Sequence, residues 1–244
     1  MRNIALTLMY DGTNYFGYQR QSGFITIQQA MEEAIFKITK ENVTVSGCGR
    51  TDSKVHALNY VLSFKTNSNM PTDKFPVALN SVLPHDISVL DAKQVADDFD
   101  GRFSVKRKTY IYKIHNSEIK NPFLRNYVCH YKYKLDVEKM RRAAEYIVGT
   151  HDFKCFCAAG AQVKTTVRTV YDLSLTQNGD DIELSITSNG FLYNMVRIIA
   201  GTLIYVGGGK MEADDVKTII ESGDRRLAGI TAPPEGLYLK SVEY

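Results

Sequence analysis

A carboxylate on a glycine-rich loop is the first group in this chain that could do chemistry. The run Gly47-Cys48-Gly49-Arg50-Thr51-Asp52 follows a predicted strand, and its glycines allow tight turning and close approach of a ligand backbone. Asp52 on such a loop is well placed to point into a cleft. On composition alone the plainer reading is an Asp capping a turn, with Arg50 as its surface ion pair. A second group is Arg197, inside the otherwise apolar run Phe191-Leu192-Tyr193-Asn194-Met195-Val196-Arg197-Ile198-Ile199. An unpaired buried ion costs several kcal/mol, so this guanidinium needs a partner. Asp52 would serve, and the pair would hold the acid ionised. A wet helix face with a local partner is the alternative. Third, Lys106-Arg107-Lys108-Thr109-Tyr110-Ile111-Tyr112-Lys113 interleaves cations with aromatics. Cations neutralise phosphates and tyrosines stack on splayed bases. An edge strand with a solvated charged face accounts for such a cluster equally well.

Other chemistry-bearing residues lead less far. His151, Cys155 and Cys157 match no familiar zinc spacing and read as free thiols in or near a core. Gly207-Gly208-Gly209 follows a predicted helix, so it is a stop signal and not a phosphate loop. Gly47-x-Gly49 lacks the rest of a dinucleotide fingerprint. His56 opens a predicted strand and reads as structural. No cofactor and no metal site is expected.

The elements that must position these residues follow from periodicity. Residues 4–10 alternate apolar and polar as a strand closed by Asp11-Gly12. Thr26 and Gln29 form a capping box ahead of a helical stripe through Ile27, Met31, Ala34, Ile35 and Ile38. Short strands are expected at 43–46 and 56–64, a helix at 71–82 with Pro76 in its first turn or kinking it, and a strand at 87–95. The second half offers a strand at 109–115 and a helix through Val137, Met140, Ala144, Ile147 and Val148, with Gly149 as its C-cap. A hairpin at 167–176 and 182–187, an apolar helix at 192–206, a short helix before Gly223 and a strand at 237–242 complete it. Each half therefore reads β-α-β-β-α-β. The expected fold is α+β: two tandem ferredoxin-like units, 1–104 and 105–244, with antiparallel sheets joined across a central cleft.

At 244 residues, with 44% hydrophobic and 23% charged residues, the chain can bury a real core and is not a disordered polymer. Its net charge of +3 leans mildly toward polyanions. The four cysteines, Cys48, Cys129, Cys155 and Cys157, are irregularly spaced for a disulfide framework. No run approaches the roughly 20 apolar residues of a membrane span, and the start reads as a strand. The expected setting is the reducing cytoplasm.

Taken together, eight segments resemble the TruA-type tRNA pseudouridine synthase family. They are Tyr10-Asp11-Gly12-Thr13 with Gly17-Tyr18-Gln19-Arg20-Gln21; Gly49-Arg50-Thr51-Asp52 with Val55-His56-Ala57; Asn80-Ser81-Val82-Leu83-Pro84; Arg102-Phe103-Ser104; Tyr110-Ile111-Tyr112; Gly149-Thr150-His151-Asp152-Phe153; Phe191 through Arg197; and Ala228 through Leu237. They stand in the family's order and span nearly the whole chain. The resemblance implies isomerisation of uridine to pseudouridine in the anticodon stem-loop of tRNA, without a cofactor, by a homodimer. It implies Asp52 as the catalytic carboxylate, Tyr110 as the platform for the target base, Arg197 as the carboxylate's partner, and Arg50, Arg102 and Arg20 as RNA contacts. The same chemistry on another uridine or RNA, a non-catalytic RNA-binding protein and a small-molecule enzyme are the alternatives. One departure stands next to the carboxylate. Ser53-Lys54 replaces the family's usual Ala-Gly, and if the second position needs a positive φ, the local backbone must differ.

Overall fold

A computed structural model describes residues 1–161 and 163–244. The chain forms two compact units, one of residues 1–106 with 238–244 and one of residues 107–237. The chain passes from the first unit to the second after residue 106. The last residues fall with the first unit because the C-terminal strand pairs there.

The first unit contains β1 (Arg2–Tyr10), α1 (Ile27–Thr39), β2 (Ser46–Gly47), β3 (His56–Thr66), α2 (Phe75–Asn80) and β4 (Ile87–Val95), with β10 (Leu237–Glu243) from the chain's end. β1 lies antiparallel between β3 and β4. The outer edge of β3 is shared. β2 takes Leu62 and Ser63, and β10 pairs in parallel with His56 and Ala57. Alternation along β1 buries Ile4, Leu6 and Leu8 completely, and they meet Met31 and Ile35 from α1 and Phe75 and Leu79 from α2 in one core. Thr26 caps α1 by accepting from Gln29 N, but Gln29's own side chain turns to Glu33, so only half of the capping box forms. The helix ends at Lys40, whose φ of 62° is the left-handed cap and whose N–H donates to Phe36 O. The expected helix at 71–82 is instead a 3₁₀ turn at Thr72–Lys74 followed by the short α2, with Pro76 in its first turn, where a missing N–H costs nothing.

The second unit contains β5 (Arg107–His115), β6 (Cys129–His130), α3 (Val137–Glu145), β7 (Gly149–Asp152), β8 (Val167–Asn178), β9 (Asp181–Ser188), α4 (Met195–Gly207) and α5 (Asp215–Ser222). Its antiparallel sheet runs β5-β9-β8-β7, with the two-residue β6 parallel on β5. Tyr112, Leu184 and Ile186 point to the face that α3 and α4 cover. Nine of the thirteen residues of α4 are apolar, and most of the helix is buried. It starts at Met195, not 192, because Asn194 is left-handed (φ 61°). Gly149 does not cap α3, which stops at Glu145. With φ of 121° it opens β7 instead, a strand that periodicity did not reveal. Both units are α+β with the expected helix and strand order, to which the structure adds β6, β7 and two short parallel pairings.

Candidate active site

The loop between β2 and β3 carries Asp52, and three tyrosines of the first unit lie under it. Tyr60, in β3 and fully buried, donates from its hydroxyl to Gly49 O at 2.5 Å. Tyr10, at the end of β1, shares a hydrogen bond of 2.9 Å with Thr51 Oγ1. Tyr18 stacks on Tyr60 with centroids 4.6 Å apart, and Tyr10 packs against the same ring at 5.6 Å. A Cβ on Gly47 would collide with the hydroxyls of Tyr18 and Tyr60, so only glycine fits there. Burial, opposed by the bond to Gly49, pushes the Tyr60 phenol well above its ordinary range and keeps it a donor.

The segment before α1 closes the loop from the other side. Tyr18 N donates to Thr51 O at 3.1 Å, Lys54 N to Tyr15 O at 3.2 Å, and Ser53 Oγ to Tyr15 O at 3.1 Å. Gly17 passes so close to the Thr51 carbonyl that a side chain there would collide with it. The backbone is thus held at Gly49, Thr51 and Lys54, and Ser53 is held through its hydroxyl. Arg50 remains exposed and Asp52 half-buried, while the backbone around them is pinned.

Beyond Asp52 the chain turns back into β3. Val55 N donates to Asp52 O at 3.2 Å, closing a four-residue turn whose third residue, Lys54, has φ of 65°. This is the φ that a type II turn requires at that position and that glycine or asparagine adopts most easily. The backbone expected to differ there keeps the positive φ, and the lysine bears a strain of about 1–2 kcal/mol. His56, next along, is buried. Its Nδ1 accepts from Gly12 N at 3.1 Å, lies 3.2 Å from Asp11 Oδ1, and its ring stacks on Tyr238 at 4.6 Å, which is the structural role expected of it.

The remaining first-unit candidates lie on the surface. Arg102 is exposed, with its guanidinium 5.3 Å from the Phe103 ring. Its loop is held by Asp100, which accepts from Arg102 N at 2.7 Å, Phe103 N at 3.0 Å and Ser46 Oγ at 2.9 Å. Burial pushes the Asp100 carboxyl up, but these donors outweigh it and leave it below the ordinary range. Arg20 makes an exposed ion pair with Glu32 at 3.1 Å, a contact worth about 0–1 kcal/mol and easily given up to another anion.

In the second unit Tyr110 lies on the helix-covered face of β5, opposite Ile186, and is only 7% exposed. Phe191 meets its ring edge-on at 5.1 Å. Arg197, in the first turn of α4, donates from Nε to Ala232 O at 2.8 Å and from a terminal nitrogen to Asn194 Oδ1 at 2.9 Å. Its own carbonyl accepts from Ala232 N at 3.0 Å. Arg197 therefore ties the segment before β10 to the start of α4. Cys155 is buried and its thiol is pushed by burial to about 12, so it is inert at neutral pH. Among the described residues no group of three or more His, Cys, Asp or Glu could hold a metal ion, and no helix is long and apolar enough to cross a membrane.

Sequence reasoning missed the tyrosines as a set. Tyr10 and Tyr18 lie in the motif segments, but Tyr60 looks like any aromatic in a buried strand, and only the fold brings its hydroxyl under Gly49.

Against known proteins, residues 7–104 and 143–244 match the family model described as tRNA pseudouridine synthase. The chain belongs to that family. A protein of Caldicellulosiruptor bescii named tRNA pseudouridine synthase A is 55% identical over 244 residues, all of both chains. Proteins of the same name from Thermoanaerobacter sp. (strain X514) and Acetivibrio thermocellus are 52% and 49% identical, again over the full length of both. Asp52 with its tyrosines, Arg197 and the Arg102 loop all lie inside the matched residues, whereas Tyr110 lies between the two matched stretches. Membership makes the protein an isomerase acting on tRNA uridine.

Proposed function

We propose that this protein converts uridine to pseudouridine in the anticodon stem-loop of tRNA, at positions 38, 39 or 40, with Asp52 as the catalytic carboxylate. The observation that carries this reading is the Asp52 loop. Its backbone is tied at the Gly49, Thr51 and Asp52 carbonyls and at Lys54 N, and Asp52 stays half-buried beside an exposed arginine. A catalyst must be held in place, and a pinned backbone does that for a single acid.

The reaction breaks the bond between uracil N1 and the ribose, turns the base, and forms a bond from C5 to the same ribose carbon. The C5 proton is lost and N1 gains one, so atoms and electrons balance without a carrier. Asp52 supplies the attacking carboxylate that starts the exchange. Tyr110 receives the flipped base, and its aromatic face offsets an unstacking cost of a few kcal/mol. Arg197 is the cation that the resemblance assigns to the carboxylate as its ionic partner. Arg50, Arg102 and Arg20 hold phosphates. As the family resemblance implies, the protein works as a homodimer in the cytoplasm, where its tRNA substrate is.

The test is a map of pseudouridines in tRNA from cells with and without the protein. Loss confined to the lower anticodon stem is the expected result. Loss elsewhere would keep the reaction and overturn the choice of uridine, and an unchanged map would overturn the function.

A further inference from the structure

Among the described residues three that are not glycine have positive φ: Lys40, Lys54 and Asn194. Two have structural reasons. Lys40 closes α1 as its left-handed cap, and Asn194 begins α4 with the residue type that tolerates this conformation best after glycine. Lys54 stands in a tight turn and not at a helix end. It caps no helix, its side chain is exposed, and glycine at this turn position would relieve the strain. Strained residues persist where the surroundings over-determine them, and they gather at functional sites. The surroundings here do so, through Lys54 N to Tyr15 O and Val55 N to Asp52 O. Lys54 also stands two residues after Asp52, as the exposed Arg50 stands two before it.

We propose that Lys54 is a substrate-binding residue whose ammonium holds a backbone phosphate of the RNA next to the nucleotide presented to Asp52. The anion that every RNA carries at each nucleotide is the phosphodiester, and a lysine ammonium binds it as a point charge. With Arg50 on the other side, the loop would grip the strand at two phosphates flanking the target. This rests on the reading of the protein as a tRNA pseudouridine synthase with Asp52 at its site.

The test compares Lys54→Gly, Lys54→Arg and Lys40→Gly with the parent protein, measuring melting temperature and the affinity for tRNA across a salt series. Both glycine substitutions relieve a positive φ, so each raises the melting temperature by about 2–4 °C. Only Lys54→Gly should weaken tRNA binding, with a log–log salt slope shallower by roughly 0.7–0.9, the share of one phosphate. Lys54→Arg should keep the parent slope. A Lys54→Gly protein that binds tRNA with the parent's affinity and slope overturns the proposal. Pseudouridine formation by the parent protein, measured alongside, tells this failure from that of the wider reading, because an inactive parent would sink the latter.

Discussion

The Asp52 loop is held by groups beneath it that hydrogen-bond to the residues on either side of the carboxylate. Tyr60 is buried, its phenol is held neutral by burial, and its one hydroxyl satisfies the Gly49 carbonyl. Tyr60→Phe keeps the ring stack and removes only the donor. Leaving the part-buried Gly49 carbonyl unsatisfied costs up to about 1–3 kcal/mol of stability. The loop it loosens is the one that carries the acid, and a displacement of about 1 Å can cost about 100-fold in rate. The expected outcome is a kcat lower by roughly 10- to 100-fold with tRNA affinity unchanged, from single-turnover assays and binding run side by side. A variant that loses only stability would reduce Tyr60 to a core residue. Lys54 belongs to the same scale: the chain keeps a strained cation where a relaxed glycine would serve the fold better.

At the scale of the element, α4 shows how packing overrides propensity. Gly201 sits in mid-helix, where glycine costs up to about 1 kcal/mol relative to alanine. A Cβ there would collide with the Ile230 carbonyl, and the same segment returns to the helix through Gly229 N to Thr202 Oγ1. Overpacking costs about 1–3 kcal/mol, which outweighs the propensity gain. Gly201→Ala should therefore destabilise the protein, read as a lower midpoint in urea with an unchanged slope. A raised midpoint would mean that the Ile230 segment moves aside freely. This contact also marks what the sequence could not reveal. The periodic elements were legible: β1, α1, β4 and β5 lie within two residues of their expected bounds, because alternation and helical stripes report burial directly. β6 and β7 were not, since two and four residues are too few to show a period. Gly149 looked like a cap because only the dihedral angle tells a cap from a strand opening. The family resemblance offered Asp52, Arg50 and Arg102 as candidates, but nothing in the sequence announced the tyrosine cage, because it joins residues up to 50 positions apart, from Tyr10 to Tyr60.

At the scale of the molecule, a net charge of +3 is too small to drive RNA binding by itself. What matters is where the cations stand: Arg50, Lys54 and Arg102 are exposed on the unit that carries Asp52. Several phosphate contacts of this kind give a tRNA affinity that falls steeply with salt, whereas a small-molecule enzyme would show a flat response. Titrating tRNA binding between low and physiological salt separates the two. The central claim, that Asp52 does the chemistry and not the binding, has a more direct test. Asp52→Asn keeps the side chain's size and removes its charge. Pseudouridine formation should then fall below detection while tRNA binding stays within a few-fold of the parent. Activity retained in the substituted protein would contradict the account.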